Sequence, residues 1–90
     1  NYPNPFNPET WVPFELAQDT GVTIEVYGFD GQLVRKLDLG HLSAGLYLSQ
    51  DRAAYWDGKS ELGETVASGI YFVQFTTDDQ TQTRRLVILK

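Results

Sequence analysis

Short runs in which apolar and polar residues alternate constrain the fold of this chain more than any other feature. The clearest run covers residues 22–27, where valine or isoleucine occupies every second position. A period of two is typical of a half-buried β-strand. No segment of ten or more residues has apolar residues at helical spacing, and turns containing Gly or Asp separate the runs. The pattern predicts an all-β fold, an antiparallel β-sandwich of about seven short strands.

The sequences of two predicted strands indicate where each strand lies in its sheet. Residues 11–16 alternate, and Pro13 falls on the outward face. Because proline has no N–H to donate to a neighbouring strand, we predict that this strand lies at a sheet edge. Residues 66–76 are apolar on both faces, which predicts a central strand.

The connections between strands also carry signals. Asp30-Gly31 predicts a two-residue hairpin turn, and residues 78–79 predict a second hairpin. After the first turn, Leu33, Leu37 and Leu39 share one parity, and Arg35 interrupts this series. Val34, which has the opposite parity, is the alternative inward residue. The interruption predicts a β-bulge.

The first eight residues differ from the rest of the chain. They contain all three asparagines and three of the four prolines. Proline restricts its own φ and pushes the preceding residue into extended geometry, so residues 1–10 are predicted to form a stiff, extended Pro/Asn-rich arm. Tyr2 and Phe6 supply apolar anchors, and we expect the arm to pack on a body formed by residues 11–90. A rigid linker to an upstream domain is the alternative.

Composition excludes several classes of function. Seven Lys and Arg against twelve Asp and Glu give a net charge of −5, which argues against nucleic acid or an anionic membrane as a partner. No apolar run approaches the ~20 residues needed for membrane insertion. The chain has no cysteine, and His41 is its only histidine, which excludes disulfides and a multi-histidine metal site. We therefore expect no cofactor and no small-molecule substrate.

The acidic residues of the second half do not form a convincing catalytic pattern. Asp51, Asp57, Glu61 and Glu64 lie among turn residues, where acids are expected for solvation, and their spacing does not match a calcium loop. The chain is predicted to be a binding or structural module and not an enzyme.

The alternation also assigns several aromatic side chains to the outward or the inward face of a predicted strand. Trp11, Tyr27 and Tyr55 point outward, which suggests an aromatic platform for sugar binding as one alternative function. Trp56 points inward and is expected to fill the core. Tyr71, two residues after a glycine, is similar to a tyrosine corner, in which the hydroxyl bonds to nearby main chain.

Several blocks of this sequence resemble a known family. They are the opening Tyr2, Pro3, Asn4, Pro5, Phe6, Asn7 and Pro8; the turn Asp30 and Gly31; the triplet Trp56, Asp57 and Gly58; the pair Gly69 and Tyr71; and the segment that ends at Lys90. Together they are similar to bacterial C-terminal secretion and sorting domains of the type IX (Por, type A-like) group. This group resembles the Ig-like domain of the flagellar hook-capping protein (FlgD).

The resemblance implies an Ig-like β-sandwich at the C-terminus of a secreted bacterial protein. Its implied task is to direct export of an upstream passenger domain, or to attach that passenger at the cell surface. The implied partners are the secretion or anchoring machinery, which would recognise the arm from Tyr2 to Pro8 and the terminal Lys90. The other motif residues are expected to be structural. An Ig-like spacer or assembly module akin to the hook-cap domain is the alternative, and the long 46–55 stretch is a candidate for subgroup-specific binding.

Overall fold

The computed structural model of the protein describes residues 2–3, 10–49 and 52–88, and these form nine β-strands. The strands are β1 (Tyr2–Pro3), β2 (Thr10–Val12), β3 (Phe14–Leu16), β4 (Thr20–Gly28), β5 (Leu33–Leu42), β6 (Gly45–Tyr47), β7 (Ala54–Trp56), β8 (Gly69–Thr76) and β9 (Thr81–Ile88).

The strands form an antiparallel sandwich, so the predicted all-β class is confirmed. One layer is the four-stranded sheet β5-β4-β8-β9, in which β8 lies between two partners. The other layer contains the three-stranded sheet β1-β2-β7 and the pair β3-β6. One buried cluster joins side chains from both layers, including Val12, Phe14 and Trp56 on one side and Ile24 and Val73 on the other.

The strand count exceeds the predicted seven at two places in the first 16 residues. Tyr2–Pro3 adds a strand to the body, and Pro13 divides residues 11–16 into β2 and β3, which pair with different neighbours. The prediction of an edge strand is wrong for β2, which pairs with both β1 and β7. Proline cannot continue the hydrogen-bonded ladder, so the change of partner occurs at Pro13.

The β4–β5 turn differs from the predicted two-residue hairpin. Its loop contains Phe29, Asp30 and Gly31, closed by bonds of 2.9 Å from Gly31 N–H to the Gly28 carbonyl and from Gly28 N–H to the Gln32 carbonyl. A two-residue type I′ turn needs positive φ at Asp30 as well, and among the described residues only glycines have positive φ. Gly31 alone takes this conformation, at φ +85°.

The strand after this turn contains the predicted bulge. Val26 pairs with Arg35 and Tyr27 pairs with Leu33, which leaves Val34 as an extra residue on β5. The extra residue changes the parity of β5, so Val34 packs against the core although the leucine series predicts otherwise.

Candidate partner-recognition site

The predicted recognition residues are described only in part. The main chain of Tyr2 and Pro3 forms β1, with Tyr2 opposite Trp11 and Pro3 opposite Thr10 on β2. Asn4, Pro5, Phe6, Asn7, Pro8 and Lys90 lie outside the described residues. The start of the predicted arm is therefore a strand of the sandwich, paired along the side of β2 that β7 leaves open.

The outward aromatic residues do not form one platform. Trp11 and Tyr55 are paired across β2 and β7, with ring centroids 5.2 Å apart and planes inclined by 48°. Tyr27 lies on β4, in the other sheet of the sandwich. The expectation that the three share a face is wrong, because equal parity on two facing sheets points outward in opposite directions. Sugar binding would rest on Trp11 and Tyr55 alone.

The Trp56-Asp57-Gly58 triplet organises the loop that follows β7. The Trp56 indole is buried and donates to the Lys59 carbonyl at 3.0 Å. The Asp57 carboxylate accepts from the Lys59 N–H at 3.0 Å and from the Arg35 guanidinium at 3.1 Å. Arg35 also donates to the Lys59 carbonyl at 3.1 Å. These contacts use the polar atoms of the triplet to hold the loop.

The same loop lies against the bulged part of β5. The Glu61 N–H donates to the Val34 carbonyl at 3.0 Å, and the Glu61 carboxylate accepts from the Lys36 N–H at 2.6 Å. Val66 N–H closes the loop by donating to the Gly58 carbonyl at 3.0 Å. Sequence reasoning did not assign a role to Arg35, although the break it makes in the leucine series was the available signal.

Two tyrosine hydroxyls make the same local contact. Tyr71 donates to the Ala67 carbonyl at 2.7 Å, as expected of a tyrosine corner following Gly69. Tyr47 donates to the Ser43 carbonyl at 2.5 Å, and it too follows a glycine by two residues. Burial raises the pKa of the Tyr71 phenol. Both glycine-tyrosine pairs therefore stabilise the point at which a strand begins.

The described residues include three of the four acidic residues considered for catalysis, Asp57, Glu61 and Glu64. They contain no group of three His, Cys, Asp or Glu side chains placed to hold a metal ion. Asp57 and Glu61 are engaged in the loop contacts above, and Asp51 lies outside the described residues. None of the described ranges forms a helix that is long and apolar enough to cross a bilayer.

Comparison with known proteins gives the family. The family model of the FlgD Ig-like domain matches residues 7–81. The chain belongs to the FlgD Ig-like domain family. No curated protein matches the chain significantly in sequence.

Two solved structures share the fold of this FlgD-like domain. FlgD from P. aeruginosa superposes with a TM-score of 0.64 at 24% identity, covering 89% of this chain and 60% of that protein. Dimeric latent PorU from Porphyromonas gingivalis gives a TM-score of 0.63 at 19% identity, covering 98% of this chain and 9% of PorU. The chain thus spans only part of either protein, and the likeness is one of fold.

Proposed function

We propose that this FlgD-like domain is a non-catalytic module that directs export or cell-surface attachment of an upstream passenger in a secreted bacterial protein. Membership of the FlgD Ig-like family over residues 7–81 is the observation that carries a structural or assembly role. The narrower assignment to export is supported by the resemblance of the opening residues to sorting domains. The partners proposed are the secretion or anchoring machinery and the passenger domain.

The geometry at the start of the chain suits recognition by another protein. Main-chain pairing of Tyr2 and Pro3 with β2 holds the first residues of the arm on the body. A segment that is already ordered loses less conformational entropy when a partner binds it. The proline-rich opening is therefore the part of the domain we assign to the machinery.

The test is a reporter assay in the native host. An exported reporter is fused upstream of residues 1–90, and its amount outside the cell and on the cell surface is measured. We expect deletion of the domain to abolish delivery, and simultaneous Pro3→Ala, Pro5→Ala and Pro8→Ala substitution to reduce it. Glu15→Gln, an exposed change on β3, serves as the matched control and is expected to leave delivery unchanged. Delivery that persists after deletion contradicts the proposal.

An assembly spacer is the second candidate, favoured by the match to FlgD itself. In this case the domain sets the distance or angle between other parts of the polypeptide. Deletion would then leave export of the full-length protein normal and change its oligomeric state, measured by sedimentation. The two candidates therefore predict opposite results for export.

A further inference from the structure

A groove at one end of the sandwich combines exposed apolar side chains with carboxylates. It lies between the β4–β5 turn and the loop of residues 60–67. The groove is open to solvent and has a volume of about 760 Å³. Phe29, Leu33 and Leu62 line it with 76%, 48% and 83% of their surfaces exposed. Large apolar side chains gathered at one exposed place are typical of an interaction surface.

The charge of the groove has one sign. Asp30, Glu61 and Glu64 line it, and none of its described lining residues is Lys, Arg or His. None of the three carboxylates forms an ion pair with a described residue. Arg35, on the neighbouring part of β5, is bonded to Asp57 and the Lys59 carbonyl. Among the described lining residues, no cation therefore offsets the negative charge of the groove.

We propose that this groove binds a protein segment in which apolar side chains are flanked by Lys or Arg. The apolar side chains of the segment cover Phe29, Leu33 and Leu62, and its cations lie against the carboxylates. Charge complementarity of this kind steers association and discriminates against acidic partners. An open groove would bury too little of a small molecule to hold it.

A second copy of this chain does not fit the same surface. The chain carries a net charge of −5, and a symmetric contact through the groove brings the three carboxylates of each copy together. Like charges at such a contact oppose association. The partner is therefore a different, cationic polypeptide segment.

This inference goes beyond the proposed role in export. The groove is built from the β4–β5 turn, the 60–67 loop and the start of β8, and neither Tyr2 nor Pro3 is among its described lining residues. Binding in vitro uses the folded domain alone, so its outcome is independent of the reporter assay in cells.

The test is a binding titration with a short fluorescent peptide in which Leu and Lys alternate. We expect saturable binding, observed as a rise in anisotropy, with amide shift changes in NMR spectra that map to the groove. Leu62→Ser and the double change Glu61→Gln with Glu64→Gln are each expected to weaken binding about tenfold, as for the loss of a central contact. Raising the salt concentration to ~1 M should also weaken binding of the peptide to the unchanged domain, because salt screens exposed charges.

Matched controls distinguish binding in the groove from non-specific binding elsewhere on the domain. Leu46→Ser removes a leucine of 53% exposure on β6, outside the groove, and Glu15→Gln removes an exposed carboxylate on β3. Both should bind the peptide as the unchanged domain does. A peptide with Glu in place of Lys should not bind.

Three results would overturn the proposal. They are absence of binding to the Leu-Lys peptide, equal binding of the Leu-Glu peptide, and self-association through Phe29 and Leu62 detected by sedimentation.

Discussion

The buried tyrosine and tryptophan side chains of the described residues each make one polar contact with nearby main chain. Tyr47 and Tyr71 donate to the carbonyl four residues earlier, and the Trp56 indole donates to the carbonyl three residues later. A buried hydroxyl or indole N–H without a partner is costly, so the local carbonyl makes burial of the ring favourable. The contacts therefore allow large rings to fill the core of a chain of only 90 residues.

Replacing Tyr71 with Phe should lower the free energy of unfolding by about 1 kcal/mol, since it leaves the Ala67 carbonyl without its donor. Tyr47→Phe, which removes the corresponding bond to Ser43, should lose a similar amount at neutral pH. Urea denaturation of the three proteins measures both differences. Equal stability of Tyr71→Phe and the unchanged domain would contradict the assigned bond.

The stability difference between the unchanged domain and Tyr71→Phe should also depend on pH. Burial raises the pKa of the Tyr71 phenol above its ordinary value of 10.0, so the folded state holds this proton more tightly than the unfolded state. This contribution to stability is fully present below the unfolded pKa and is lost as pH rises through the folded pKa. The stability difference between the unchanged domain and Tyr71→Phe should therefore narrow in strongly alkaline buffer. A constant difference across that range would show that the phenol is not buried.

At the scale of elements, β5 and the loop after β7 depend on each other. The bulge at Val34 moves its side chain toward the core and leaves Arg35 positioned to reach Asp57. The loop in turn donates from the Glu61 N–H to the carbonyl of Val34.

Arg35→Ala should destabilise the domain by about 1 kcal/mol, because it removes bonds to a carboxylate and a carbonyl that are both partly exposed. The amides of Glu61 and Val66, which close the loop, should exchange with solvent faster in the variant. Hydrogen exchange followed by NMR measures this. Arg85→Ala on β9, an exposed arginine, is the control and should leave those two amides protected. Unchanged exchange in Arg35→Ala would mean that Arg35 does not hold the loop.

The β4–β5 turn gives a prediction that depends on backbone conformation alone. Gly31 has φ +85°, and a Cβ added there would meet no atom within 4 Å. Gly31→Ala should therefore cost about 1 kcal/mol through backbone strain and not through a clash. Gly31→Asn should cost less, since asparagine tolerates this region better. Thermal unfolding distinguishes the two, and equal losses would show that strain is not the cause.

At the scale of the whole molecule, Arg84 links the two layers of the sandwich. It projects from β9 in the four-stranded sheet and donates to the carbonyl of Pro13, between β2 and β3 in the opposite layer. Its guanidinium also lies 5.3 Å from the centre of the Phe75 ring. The Arg84 side chain thus contacts Pro13, the residue at which the chain passes from β2 to β3 and changes its pairing partner.

Substituting Arg84 with Gln should lower the free energy of unfolding by about 1 kcal/mol, since the cation–π contact and the bond to the Pro13 carbonyl are both lost. Arg84→Lys retains the charge and should lose less. Chemical denaturation compares the two variants, with Arg85→Ala again as the control. A loss as large for Arg85→Ala as for Arg84→Gln would contradict a specific role for Arg84.

The amino-acid sequence by itself determined the all-β class and the strands with strict alternation, such as β4. It did so because the period of two is a local property of an extended chain with one buried face. Parity describes a face of one strand, however, and does not say which sheet that strand joins. Only the tertiary structure decided that Trp11 and Tyr27 lie on opposite sides of the sandwich and that Arg35 meets Asp57. Contacts of this kind join residues far apart in sequence, and they form only when the two sheets pack on a common core.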